Sequence, residues 1–555
     1  MKKLLLKLCA FILVFAMIIP GAAAFADDTA ETPSYSWAKD PEKTYDNYEG
    51  KTVILHSNDV HGQIDGYTYI KGLKNYYEGM GAEVITIDAG DFSQGDPNVN
   101  LSFGLTAVNM MNAVGYDFST IGNHEFDFGL DQLKKNLKSA KFKVLCANVF
   151  DENGKTLFDA NAVWKSSKSD LKIGFFGLDT PEAQTKCNPI YVQGLKFAQG
   201  EELYKVAQKQ VDKLSKKADL VICIAHLGTD AETEPNNSYN VYNNTKGIDL
   251  IIDGHAHKTL VQGINNEPIQ STGTKFAYVG MVMIDNATKE IEQRELITAN
   301  RLNGFDEKID AIAEEIINDV KAQYGAVFAK SLVNTNGEKG DENTKGNRTA
   351  ETNAGDLLTD AMLWAVTKDE GSIAVDKDHI ICVTNGGGIR AAISKGDISK
   401  LDINTVLPYD NTVTVVYITG RELLEALEAS TFCTPSAVGG FPQIAGFKLK
   451  IYTNKAFKQG ELYPGSTYHA PKKIKRVKIT SVNGKPFNKD DVYAVVCNSF
   501  MANGGDTYYV FKNASAKFDT GIRQDEALMD YIENELGGVI GKEYKKAQGR
   551  IKIKK

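Results

Sequence analysis

Cysteine is scarce in this 555-residue chain: there are seven, and no two form a CxxC pair. A thiolate zinc site of the usual spacing is therefore excluded. Cys146, Cys223, Cys382 and Cys497 sit inside apolar strand-like runs, where a buried free thiol is the default. Cys187 and Cys433 lie in loop-like sequence, and whether they pair is left open. Proline is also sparse, at 14 residues, while 42% of the chain is hydrophobic, which excludes a disordered or low-complexity protein. Positive charge is in deficit, with a net charge of −8, so a general coat for a nucleic-acid polymer is excluded. Beyond the first 20 residues no apolar run approaches the ~20 needed to cross a bilayer.

The start of the chain stands apart. Lys2, Lys3 and Lys7 precede an apolar run from Leu8 to Ile19, Pro20-Gly21 breaks it, and Ala24-Phe25-Ala26 offers small residues for cleavage. Residues 1–26 read as a secretory signal peptide. Its removal takes three lysines and no acid, moving the net charge from −8 to −11. A soluble, secreted protein is expected, in a periplasm or outside the cell. Residues 27–50 are polar and aperiodic, and read as a loosely docked lead-in.

At roughly 100–200 residues per domain, two to four domains are expected. From 51 to 300 short apolar strands alternate with amphipathic helices, the pattern of an α/β domain. The strands are expected at 52–59, 83–88, 116–121, 142–147, 171–178, 219–225, 248–253 and 276–284. Residues 301–328 contain a helix, over 305–324, with Ile309, Ile312, Ile316 and Val320 at helical spacing. It is expected to join the first domain to a second α/β domain at 329–555, and its Tyr324-Gly325 end is the place for a hinge.

Histidine placement carries the chemistry. Of eight histidines, six fall between 56 and 257. Asp59 and His61 follow the strand TVILHS; Asp91 follows EVITID; Asn123 and His124 follow YDFSTI; His226 ends LVICIAH; His255 and His257 follow DLIID. The carboxyl ends of strands in an α/β domain converge on the ligand crevice. One such histidine alone is more often a satisfied core or surface residue, but five strands delivering imidazole, carboxylate and amide to one rim form a metal-site pattern. Two cations about 3.5–4 Å apart need a shared carboxylate and several neutral donors. Asp59, His61, Asp91, Asn123, His226, His255 and His257 supply that set, and its N/O character suits zinc or manganese. His56 reads as a core residue, and His379 and His469 as surface residues.

The motifs NDVHG (58–62), GDF (90–92), GNHEFD (122–127), AHLG (225–228) and GHAH (254–257) resemble those of the calcineurin-like metallophosphoesterases, in the order found in the 5′-nucleotidase family. The resemblance implies a four-layer N-terminal domain. It assigns Asp59, His61, Asp91 and His257 to one metal and Asp91, Asn123, His226 and His255 to the other, with Asp91 shared. The position of His257 varies among relatives. His124 would stabilise the phosphoryl oxygens and the leaving group, oriented by Asp127. Two divalent metal ions lower the pKa of water towards about 7 and so supply hydroxide at neutral pH.

The likeness continues in the second half, and there it alone singles out residues. NGGGIR (385–390) and Arg348 are similar to phosphate and ribose contacts, giving Asn385, Arg390 and Arg348. Tyr409 and Asn411 in LPYDN match the base-binding segment, where Phe is common at the Tyr409 position. Phe500 would stack on the other face of the base, and Asp506 would accept from ribose hydroxyls. Some relatives carry another arginine near 344, where Thr344-Lys345 stands here. The expectation is a nucleotide phosphohydrolase acting on nucleoside 5′-monophosphates. A 2′,3′-cyclic-nucleotide 2′-phosphodiesterase with 3′-nucleotidase activity, and a surface nucleotide-binding protein with vestigial catalysis, are the alternatives. The sequence leaves metal identity, base preference and oligomeric state open.

Overall fold

A computed structural model describes residues 45–368 and 373–555, so the expected signal peptide and most of the lead-in lie outside the described residues. The first half rests on two six-stranded sheets. In one, Lys51–Ser57, Glu83–Asp88, Phe118–Ser119 and Lys143–Val144 run parallel, and the hairpin Tyr278–Asp285/Glu290–Thr298 pairs antiparallel with the edge of Lys51–Ser57. In the other, Lys172–Asp179, Leu220–His226, Leu250–Ile252 and Ile269–Thr272 run parallel, flanked by antiparallel Asn161–Lys165 and Thr259–Leu260.

The central strands read as continuous apolar runs because both their faces are buried. Ile54, Ile85 and Ile87 of the first sheet meet Phe175, Ile222 and Ile224 of the second. Helices Tyr67–Gly79 and Leu105–Val114 cover the outer face of the first sheet, and Glu201–Leu214 covers that of the second. The result is four layers, helix–sheet–sheet–helix. At the described end of the lead-in, Tyr48 is buried edge-on against Tyr77, with ring centres 4.9 Å apart.

Three expectations are corrected in detail. The strands expected at 116–121 and 142–147 keep only two-residue ladders, because the chain beyond them turns into the loops of the rim. Glu290–Thr298 was not anticipated, since its four polar or charged residues in EIEQR hide an edge strand. In the helix Glu307–Tyr324, Ile309, Ala313 and Val320 are buried while Ile312 is 41% exposed. At 100° per residue, positions 313 and 320 fall within about 40° of Ile309, whereas Ile312 lies about 60° to the other side. Ile309 and Ala313 pack into the first half's core beside Val53, Leu55 and Ile70, so the first turns of the helix are docked there.

The second half is built on a five-stranded sheet ordered Pro442–Ala445, Ile380–Asn385, Val492–Asn498, Thr412–Thr419 and Ala516–Arg523. Ile380–Asn385 and Val492–Asn498 are parallel, so the loops at their carboxyl ends, NGGG and MANGGD, emerge on one edge. Helix Asn353–Thr367 packs on one face, and Gly420–Ala429 on the other. All six cysteines of the described residues are free, and Cys187 is buried rather than in an open loop.

Candidate active site

Six of the seven candidate ligands of the first half follow a strand of the two facing sheets, His226 ends Leu220–His226, and at five of the seven the backbone is bent to aim the side chain. Asp59, His61, Asp91, His255 and His257 all have φ between 47° and 77°, the left-handed region that side-chain-bearing residues avoid. Each such residue costs of order 1–3 kcal/mol, and such strain clusters at functional sites. The rim is also crowded. A Cβ on Gly90 would lie 2.8 Å from His226 Nδ1 and 2.7 Å from the Gly122 amide nitrogen. Glycine there lets two strand ends approach.

These residues come together in two groups, linked by a third of His61, Asp91 and His124. Asp59, His61 and His257 form one: His61 Nε2 is 3.0 Å from His257 Nε2, and His257 Nε2 is 3.4 Å from Asp59 Oδ1. Asp91, His226 and His255 form the other, with His226 Nε2 3.1 Å from Asp91 Oδ2. Asp91 stands between the groups, its Oδ2 also 3.8 Å from His61 Nε2. Asn123 lies on the rim of the same cavity as Asp91 and His255, and its buried Oδ1 has no hydrogen-bond partner.

The donor set fits divalent cations on the geometry of its own atoms. His61 Nδ1 donates to Gln94 O at 3.1 Å, so that ring turns its Nε2 lone pair inward; His226 Nδ1 donates to Ala89 O at 2.7 Å and turns Nε2 towards Asp91, whose charge raises the His226 pKa well above its ordinary value despite burial. Inward-facing lone pairs and carboxylate oxygens within 3–4 Å of one another repel unless a cation lies between them. Burial holds His61, His255 and His257 well below the ordinary imidazole pKa, leaving neutral rings ready to ligate. Burial also pushes the Asp59 carboxyl up to about 7 despite His226, a penalty that a bound cation would reverse. With imidazole, carboxylate and amide donors and no thiolate, the set suits zinc or manganese.

His124 and Asp127 form a separate pair. His124 Nδ1 bonds Asp127 Oδ2 at 2.6 Å, leaving Nε2 for a ligand. Burial opposes a charged ring, but Asp127 and Asp91 outweigh it and raise the His124 pKa above its ordinary value.

The second half supplies the opposite wall. Arg348, Asn385, Arg390, Tyr409, Asn411, Phe500 and Asp506 all line one cavity of about 310 Å³ together with Asp91, Asn123, His124, Asp127, His255 and His257. Asp59, His61 and His226 lie behind that lining, fully buried. Tyr409 stacks over His124 with ring centres 5.8 Å apart. Asn385 Nδ2 donates to Asp506 Oδ2 at 3.0 Å. Lys339 also lines the cavity, donating to Ala256 O at 3.1 Å, and burial beside Arg348 pushes its pKa down to about 8. Three cationic side chains thus face the metal rim.

Several important residues carried no signal that sequence reading used. Glu125 accepts from the backbone amides of Gly122, Asp91, Phe92 and Ser93 at 2.6–3.0 Å, clamping two motif loops together. It falls inside GNHEFD, three residues after Gly122, a capping-box spacing that could have flagged it. Glu182 Oε2 meets His255 Nε2 at 2.8 Å. Lys186 is half-buried between Glu232 Oε1 of its own half at 2.5 Å and Asp506 Oδ1 of the other half at 3.4 Å. Tyr468 donates to Glu232 Oε1 at 2.9 Å, and the Asp506 amide to Thr185 O at 2.7 Å, so the halves are clasped across the cavity. Glu182 precedes and Lys186 ends the short helix Ala183–Lys186 and Glu232 lies in a loop, all in polar sequence without periodic or motif spacing. His56 is buried in the core; His379 and His469 are only partly exposed, His379 paired with Asp378 and Asp491.

Comparison with known proteins agrees with this geometry. Residues 52–259 match the calcineurin-like phosphoesterase family model, and 330–513 match the 5′-nucleotidase C-terminal domain. The trifunctional nucleotide phosphoesterase YfkN of Bacillus subtilis is 29% identical over 90% of this chain, which spans only 35% of that longer relative. A 5′-nucleotidase of Vibrio cholerae is 28% identical, covering 91% of this chain and 93% of its own. The solved 5′-nucleotidase precursor of Thermus thermophilus superposes with a TM-score of 0.74 at 26% identity, over 91% of this chain and 99% of that one. With both family models in sequence order on one chain and relatives aligned along nearly its whole length, the protein belongs to the 5′-nucleotidase family of calcineurin-like phosphoesterases, hydrolases of phosphate esters.

Proposed function

We propose that this chain is an exported, two-metal nucleotide phosphohydrolase that releases phosphate from nucleoside 5′-monophosphates. The observation that carries the reading is the shared cavity. A metal-type rim from the first half and two arginines, a lysine and two aromatic rings from the second line the same space. That lining matches a phosphate at one end and a nucleoside at the other. The secretory pattern of residues 1–26 supports export.

Asp59, His61, Asp91 and His257 would hold one cation and Asp91, Asn123, His226 and His255 the other. When bound, such cations lower the pKa of water and neutralise charge on phosphoryl oxygens. The chain's own residues do the rest. His124, its Nδ1 held by Asp127 and its pKa raised by Asp127 and Asp91 despite burial, would donate from Nε2 to a phosphoryl or leaving oxygen as charge develops there. Arg348 and Arg390 offer planar forks that grip phosphate oxygens. Tyr409 and Phe500 offer aromatic faces to a base, each stack being worth about 1–3 kcal/mol with little base discrimination. Asp506, fixed by Asn385, accepts from ribose hydroxyls. The clasp through Lys186 and Glu232 excludes water by holding the halves closed.

The resemblance to a relative named as trifunctional favours testing a wider ester range as a second reading. Phosphate release from 5′-AMP, 5′-UMP, 3′-AMP and 2′,3′-cyclic AMP separates the two. Turnover dominated by the 5′-monophosphates is expected. Turnover confined to the cyclic or 3′ esters would replace the first reading with the second, and tight nucleotide binding without turnover would indicate a binding protein.

A further inference from the structure

In the second half, three further strands form a small sheet ordered Val477–Val482, Phe447–Tyr452 and Ile551–Lys554. Side chains alternate across it. Phe447, Leu449, Ile451, Val477, Ile479 and Ile551 turn inward and are buried. The outward positions carry Lys448, Lys450, Lys478, Lys552 and Lys554. The three strands, FKLKIY, VKITSV and IKIK, contain no aspartate or glutamate at all.

The register sharpens the pattern. Lys450 pairs directly with Lys478 on one neighbour and with Lys552 on the other, so three ammonium groups lie in one row across the sheet. Like charges directly opposite one another destabilise a sheet. None of the five outward lysines forms an ion pair among the described residues, whereas other lysines such as Lys51 and Lys485 do. This occurs in a chain whose net charge is −8, so the face is a positive island on an acidic protein. Its charges are spread in two dimensions over a flat three-stranded surface. They do not follow a groove, and no row of aromatic rings is interleaved for stacking bases, which is how single-stranded nucleic acid is gripped.

We propose that this lysine face docks the protein on a membrane surface rich in acidic phospholipid. No helix of the described residues is long and apolar enough to cross a membrane, so the attachment would be peripheral and electrostatic. Each lysine near an acidic leaflet strengthens partition roughly fivefold at moderate ionic strength, and the gain fades as salt shortens the screening length.

The test is co-sedimentation of the full-length mature protein with vesicles of phosphatidylcholine, with and without about one-third phosphatidylglycerol, from low to high salt. The wild type should bind the acidic vesicles, and 0.5 M salt should release it. The triple variant Lys450→Gln, Lys478→Gln, Lys552→Gln should partition about 100-fold more weakly, by three fivefold factors. Its nucleotide hydrolysis should be unchanged, because these residues do not line the cavity, and its thermal unfolding should come no earlier than that of the wild type, because the opposed charges are relieved. Equal binding to neutral and acidic vesicles, or unchanged binding of the triple variant, would overturn the proposal. So would lysine-dependent binding to soluble polyphosphate or DNA with no binding to vesicles.

Discussion

Glu125→Gln removes one negative charge and almost no volume from beneath the candidate metal centre. Glu125 is 2% exposed and accepts five hydrogen bonds. Oε1 takes the Phe92 and Ser93 amides and the Ser93 hydroxyl at 2.9–3.0 Å; Oε2 takes the Asp91 amide at 2.8 Å and the Gly122 amide at 2.6 Å. A glutamine keeps the three bonds to its carbonyl oxygen and turns an NH₂ group towards the other two donors. Hydrogen bonds to a charged group contribute about 1.5–3 kcal/mol each, so losing two costs about 3–6 kcal/mol. That is a large share of the ~5–15 kcal/mol that stabilises a typical domain. The same loss releases the backbone that holds Asp91 at φ 60° and sets the Gly122–Asn123 turn. Urea unfolding combined with metal analysis of the purified variant is the assay. We expect a lowered midpoint, weakened metal retention and hydrolysis reduced at least tenfold. A variant with wild-type stability and wild-type metal content would refute the view that Glu125 sets the rim's geometry.

Other outcomes follow from the same contacts. His124→Ala should lower kcat by about 10²–10⁴ with little change in KM, as steady-state kinetics would show, since the ring acts on developing charge. Lys186→Met leaves the half-buried Glu232 and the buried Asp506 without their cation. It should raise KM for a nucleotide far more than for p-nitrophenyl phosphate, which has no ribose to meet Asp506; equal changes for both substrates would discount the clasp. Asp285 is hydrogen-bonded to Lys51 at 2.5 Å, which holds its carboxyl down to about 2. A depressed carboxylate stabilises the fold above its unfolded pKa of about 3.9 and loses that contribution as pH falls through the folded value. Asp285→Asn should therefore be less stable than the wild type at pH 6, with the gap closing between about pH 4 and pH 2.

The first half was largely legible because buried parallel strands are written as unbroken apolar runs. Glu83–Asp88 has the boundaries expected of it, and Lys172–Asp179 and Leu220–His226 lie within a residue or so of theirs. Short histidine and aspartate motifs at the ends of those runs pointed to one rim, and the structure gathers those side chains there. Glu290–Thr298 was hidden because an edge strand needs only one covered face and tolerates charge. In the second half, no periodicity distinguishes Tyr409 or Phe500 from packing aromatics, and only the likeness to a known family picked them out. Glu182, Lys186 and Glu232 were invisible because their partners lie far off in sequence: Lys186 and Asp506 are 320 residues apart. Pairings of that kind are set by how two folded halves meet, and local sequence does not encode them.

Hydrolysis by this chain would require a pair of cations held around Asp91. Metal content of the purified enzyme, measured by mass spectrometry alongside phosphate release from 5′-AMP, tests it most directly in wild type and Asp91→Asn. Two divalent ions per wild-type chain are predicted, with activity abolished by EDTA and restored by zinc or manganese, and with both metal and activity lost in Asp91→Asn. Full hydrolysis of 5′-AMP by a metal-free chain, or two retained metals in Asp91→Asn, would contradict it.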